Sequence, residues 1–89
     1  MLASPRPNPA RAAVAIRFVM PREGRVSLAV YDPKGRLVKR LVEGTHPGGE
    51  HLMSWNLRDD RGSAVAGGLY FVRLESDGGA FTRRMTVFR

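Results

Sequence analysis

The 89-residue chain has no cysteine. No disulfide can close it, and no thiolate can bind metal or attack a substrate. Lysine is nearly absent too: of fifteen cations set against eight acids, only Lys34 and Lys39 are lysine and the rest are arginine. No apolar run is longer than Ala12–Ile16. That is far short of the ~20 residues of a membrane-spanning helix and below the roughly 7–15 of a secretory leader. The N-terminus, MLASPRPNPAR, therefore does not read as an export address. Three readings stay open: a cytoplasmic chain, a piece of a longer exported protein, or an address carried elsewhere. The lack of cysteine does not choose between compartments. No segment carries helical periodicity over a helix length, which excludes an α-helical or α/β fold.

What is present is alternation. In Gly24–Tyr31, Val26, Leu28 and Val30 alternate with Arg25, Ser27 and Ala29, the period of a strand with one buried and one wet face. Asp32-Pro33-Lys34-Gly35 then supplies turn chemistry. The same pattern runs through the chain. It predicts strands over 13–19, 25–31, 36–42, 50–56, 69–75 and 80–88, and a very short one over Ser63–Val65. Spacings of about 8–12 residues predict an all-β, seven-stranded antiparallel β-sandwich. The expected core is Val14, Ile16, Phe18, Val26, Leu28, Val30, Leu37, Leu41, Met53, Trp55, Tyr70, Val72, Leu74, Met85 and Val87. Residues 1–12, with Pro5, Pro7 and Pro9, read as an extended proline-rich linker or arm, leaving 13–89 as the single domain. A chain this size buries about 60–65% of its unfolded surface, enough to stand alone.

The formal charge is +7, but the arginines are spread over nearly every strand and turn. A nucleic-acid face clusters its cations or interleaves them with exposed aromatics, so nucleic acid is not an expected partner. Weak, salt-dependent contact with a polyanion or polysaccharide remains open, and insertion into a membrane is not expected.

Catalytic chemistry finds little to stand on. Ser54 and His51 are close in sequence but fall on opposite faces of a strand, and no G-x-S-x-G motif is present. His46 and His51 lack the company of a metal site. Asp32, Asp59 and Asp60 suit a hard cation in type but not in spacing, and they equally suit turn capping. The glycine pairs at 48–49, 67–68 and 78–79 precede no helix, so they form no phosphate loop. The chain is expected not to be an enzyme, with no cofactor and no metal. Trp55 and Tyr70 fall in the inward register, whereas Tyr31 and Phe71 point out.

The order of pieces IRF, GRVSLAVYDPKGRLV, PGGEHLMSWNLRDDRG, GGLYFVRLE and RRMTVFR, over about residues 7–89, resembles the immunoglobulin-like domain named from the flagellar hook-capping protein. That domain is similar in turn to the type A C-terminal sorting domains of proteins exported by the type IX secretion system. The resemblance implies an immunoglobulin/fibronectin-III-like sandwich, placed last in a secreted or cell-surface bacterial protein. It further implies recognition through the final two strands, where Gly68, Tyr70, Arg73, Arg83, Arg84, Met85, Val87 and Arg89 match. Sorting-type tails are often lysine-rich, whereas this one is all arginine.

The resulting expectation is a non-catalytic accessory domain, extracellular or at the cell surface, acting in sorting or anchoring. Its candidate partner-binding residues are Phe71, Arg73, Arg83, Arg84, Met85, Val87, Phe88 and Arg89. The partners would be export machinery, an adjacent domain or like subunits. Two alternatives accompany it: a structural subunit or spacer that assembles through edge strands, with the proline-rich arm lying along a neighbour's edge, and a carbohydrate-binding module.

Overall fold

The computed structural model describes every residue from Met1 to Arg89. It contains six strands and no helix: β1 (Val14–Met20), β2 (Gly24–Tyr31), β3 (Leu37–His46), β4 (Gly49–Trp55), β5 (Gly68–Ser76) and β6 (Gly79–Val87). All pairings between them are antiparallel. One sheet is β1–β4, and the other has the order β3–β2–β5–β6. The inward side chains of the two sheets form one core, with Trp55, Phe18, Ile16, Leu28, Leu74 and Met85 among its wholly buried members. No polar or charged residue is buried there. The alternation seen in the sequence is what makes this possible, because one face of each strand can be wholly apolar.

Six strands form rather than seven. Ser63–Val65 contributes only an isolated bridge, Ala64 to Arg58, and the surrounding segment is a loop held by Asp59. Its Oδ1 accepts the backbone N–H of Arg61 and of Ser63. The loop buries Leu57 completely, in a left-handed backbone with φ of 62°, which is uncommon for a residue with a Cβ.

The first twelve residues take over the work of an outer strand. They are extended, as the prolines require, but they are packed rather than free. Leu2 and Ala10 are wholly buried. Met1, Ala3 and Arg6 pair with β1 through hydrogen bonds to Val19, Arg17 and Ala15. The chain then crosses to the other sheet at Pro7-Asn8-Pro9, whose preceding peptide bonds are cis. There the N–H of Ala10 donates to the carbonyl of Thr86, and the N–H of Phe88 donates to the carbonyl of Ala10. Asn8 Oδ1 accepts the N–H of Thr86 at 2.9 Å. One arm thus closes the edges of β1 and of the end of β6 together.

Three expected core residues are displaced. Leu37 is exposed, and Leu41 and Met53 are half-buried. The cause on β3 is a break in register: Leu28 pairs with Val42 and Ala29 pairs with Arg40, leaving Leu41 as the extra residue of a bulge. A bulge reverses which side chains face in, so Val42 takes the buried position.

Candidate interaction surface

The end of the chain separates into residues that brace the domain and residues that face outward. Met85 and Val87 are buried in the core, opposite Tyr70 and Gly68 of β5. Their place is inside the sandwich, not on a partner-binding surface. Arg89 is also occupied internally. Its Nε donates to the carbonyl of Val65 at 2.9 Å, and a terminal guanidinium nitrogen donates to that of Leu57 at 3.2 Å. Arg83 reaches the arm, where its Nε donates to the carbonyl of Leu2 at 3.0 Å. Gly67 permits the tight return at Arg89, since a Cβ there would lie 3.2 Å from the Arg89 Cβ.

Phe71, Arg73 and Arg84 come together on the outer face of the four-stranded sheet. Tyr31, Phe71 and Arg84 form one cross-strand row, and Ala29, Arg73 and Thr82 form the next. A shallow hollow lies here, lined by Tyr31, Asp32, Pro33, Phe71, Arg73 and Thr82. Arg73 is paired with Glu75 at 3.1 Å, and the neighbouring Arg40 is paired with Glu43. Arg84 has no acidic partner in the structure and is exposed. Phe88 does not join Phe71. It lies past the end of β6 with the Arg11 guanidinium 4.3 Å above its ring, a cation–π contact.

The edge of β6 is covered only at its end. Thr86 and Phe88 turn their backbone groups to the arm. Antiparallel pairing alternates these directions, so Ala80, Thr82 and Arg84 point their N–H and C=O groups the same way, where no strand lies. Beside Arg84, then, the first half of β6 is an open edge.

Other candidates resolve into structural roles. His51 stacks on Phe18 at 5.1 Å and shares a 2.8 Å hydrogen bond with the carbonyl of Pro47. Asp32 closes the β2–β3 turn: it accepts the N–H of Lys34 and of Arg36, and the Arg36 Nε at 3.1 Å. These contacts, the Arg36 N–H first, lower its pKa. Asp60 accepts the N–H of Arg40 and lies 3.5 Å from Lys39 Nζ. No cluster of three metal-ligating side chains is present. Trp55 and Tyr70 meet edge to face at 5.9 Å in the core, with Trp55 Nε1 donating to the carbonyl of Arg58 and the Tyr70 hydroxyl to that of Ala66. Neither offers a stacking platform to a sugar. No helix of the chain is long and apolar enough to cross a membrane.

The fold and this surface define an immunoglobulin-like domain of a known type. The model of the FlgD Ig-like domain family matches residues 10–80, and the chain belongs to that family. Among solved structures it is similar to part of PorZ of Porphyromonas gingivalis, described as an essential bacterial surface component of the type-IX secretion system. The identity is 27%, the TM-score 0.67, and the match covers 96% of this chain and 11% of PorZ. It is also similar to part of latent, dimeric PorU of the same organism, at 25% identity and TM-score 0.72, covering 93% of this chain and 9% of PorU. FlgD of P. aeruginosa shares the fold at 22% identity and TM-score 0.63, with 85% of this chain and 64% of FlgD covered. The chain therefore spans about a tenth of the length of PorZ and PorU. No curated protein matches it in sequence.

Two features escaped the sequence reading: the arm as a built part of the fold, and the edge of β4. The arm's signal was Leu2 and Ala10, apolar residues in a stretch otherwise rich in proline and arginine. The signal on β4 was Leu52, an apolar residue between Glu50 and Ser54 in the outward register.

Proposed function

We propose that this domain is a non-catalytic accessory module of a bacterial secreted or cell-surface protein, and that it acts in sorting or anchoring by protein contact through β5 and β6. The observation that carries the reading is the open first half of β6 beside the Tyr31–Phe71 row. An open edge offers backbone donors and acceptors to an added strand, and neighbouring side chains select the partner. Arg84 supplies an uncommitted charge at that point. Family membership and the likeness to segments of much longer proteins, one of them a type IX secretion component, support the same reading.

Deleting Arg83–Arg89 would be a poor test, because Met85, Val87 and Arg89 hold the domain together. Thr82→Pro and Arg84→Glu are better. The Thr82 N–H points away from β5, so proline there removes only an edge donor. In a cargo fusion expressed in a bacterium with a type IX system, both variants should lower surface display several-fold while thermal unfolding is unchanged. Undiminished display of both would overturn the sorting role.

A further inference from the structure

The edges of the sandwich are not guarded alike. The β1 edge is paired with the arm. The β3 edge carries a bulge and is covered by Asp60, whose N–H donates to the Val38 carbonyl and whose carboxylate accepts the Arg40 N–H. The β6 edge has the arm at one end and Arg83-Arg84 at its middle. Such devices are how sheets avoid unwanted pairing. The edge of β4 has none of them. It holds no proline, no lysine, no bulge and no covering loop.

Its backbone directions are fixed by β1. Ala15, Arg17 and Val19 face the arm, so Val14, Ile16, Phe18 and Met20 face β4. Their partners Trp55, Met53, His51 and Gly49 face back. Glu50, Leu52 and Ser54 therefore turn their N–H and C=O groups outward, unpaired. Leu52 at their centre is 69% exposed, the most exposed large apolar side chain of the chain. Met53, next to it on the inner face, is only half-buried.

We propose that a second copy of this chain covers this edge, β4 against β4 in antiparallel register about a two-fold axis at Leu52. Three observations select a like copy. In that register every outward N–H and C=O of Glu50, Leu52 and Ser54 finds its mate. Leu52 packs on Leu52, and Glu50 falls opposite the hydroxyl of Ser54 rather than a second carboxylate, while staying 3.2 Å from its own Arg17. Finally, the chain carries +7, yet β4 is the one strand without lysine or arginine. Two copies approach with least repulsion there. A two-fold, self-complementary patch is the usual form of a homodimer interface. The inference is independent of the sorting role, which uses β6.

Sedimentation of the full chain over rising concentration tests it. The wild type should move from monomer to twice that mass, and more completely in high salt, which screens the repulsion between like-charged copies. Leu52→Lys should remain monomeric at all concentrations while keeping the wild-type melting temperature. Because the chain lacks cysteine, Leu52→Cys adds a single thiol. A short bis-maleimide should join two such copies, whereas Arg25→Cys on the other sheet should give no linked product. A wild type that stays monomeric throughout overturns the proposal. So does a dimer that survives Leu52→Lys, or one that weakens with salt.

Discussion

The two sides of the sandwich are finished in different ways. Between β1 and the end of β6, the arm buries Leu2 and Ala10 and ties one sheet to the other. On the opposite side, β3 is shielded by Asp60 while β4 lies bare, with Leu52 in solvent. A covered edge contributes to stability and cannot recruit a partner. An uncovered edge contributes little to the isolated domain but leaves its backbone available. The chain places both kinds of edge on one small scaffold, and the difference rests on a few residues of the arm.

The comparison can be broken most forcefully at its two leucines. Leu2→Ala empties a wholly buried site and should cost about 2–5 kcal/mol. Leu52→Ala changes an exposed one and should stay within about 0.5 kcal/mol. Urea denaturation of each monomer measures both, and equal costs would mean that the arm is not part of the folded unit.

The arginines sharpen the same contrast on β6. Arg89→Ala strips donors from the carbonyls of Val65 and Leu57 and should cost about 1–3 kcal/mol. Arg84→Ala, with no partner to lose, should be near neutral in the same denaturation measurement.

A smaller effect comes from pH. Burial raises the pKa of the Tyr70 hydroxyl above its ordinary 10.0. The folded state thus favours the neutral phenol, and its contribution is complete below pH 10 and is lost as pH rises through the raised value. Melting temperature should fall above pH 10, and less steeply in Tyr70→Phe. Asp32 acts in the opposite sense at the other end of the scale. Its pKa is lowered, mainly by the Arg36 N–H, so its contribution is present above pH 3.8 and is lost on further acidification. Asp32→Asn should flatten that acid limb slightly.

How much of this was legible in the sequence depends on what each residue answers to. Val26, Leu28, Val30, Tyr70, Val72 and Leu74 obey a local period of two, and both their strand state and their burial follow from it. Leu41 and Val42 do not, because a bulge is a property of two strands and leaves no mark in one. The continuation of β3 through Gly44 to His46 was hidden because glycine reads as loop. The arm was hidden for a related reason. Pro5, Pro7 and Pro9 declare an extended backbone but not what it lies against, and the burial of Leu2 depends on strands remote in sequence. The site residues divide in the same way. Phe71, Arg73 and Arg84 lie outward as their register requires. Arg83 and Arg89 look like free cations until the carbonyls of Leu2, Val65 and Leu57 are brought to them.

The central claim is that the arm closes one side of the sandwich and leaves β4 and the start of β6 open. Residue-resolved amide hydrogen exchange on dilute, monomeric protein tests it most directly, since unpaired edge amides exchange fastest. The N–H groups of Ala10, Thr86 and Phe88 should be protected along with those of His51 and Met53, while Glu50, Leu52, Ser54, Thr82 and Arg84 exchange quickly. Rapid exchange at Ala10 and Thr86, or slow exchange at Leu52 and Ser54 in the monomer, would contradict it.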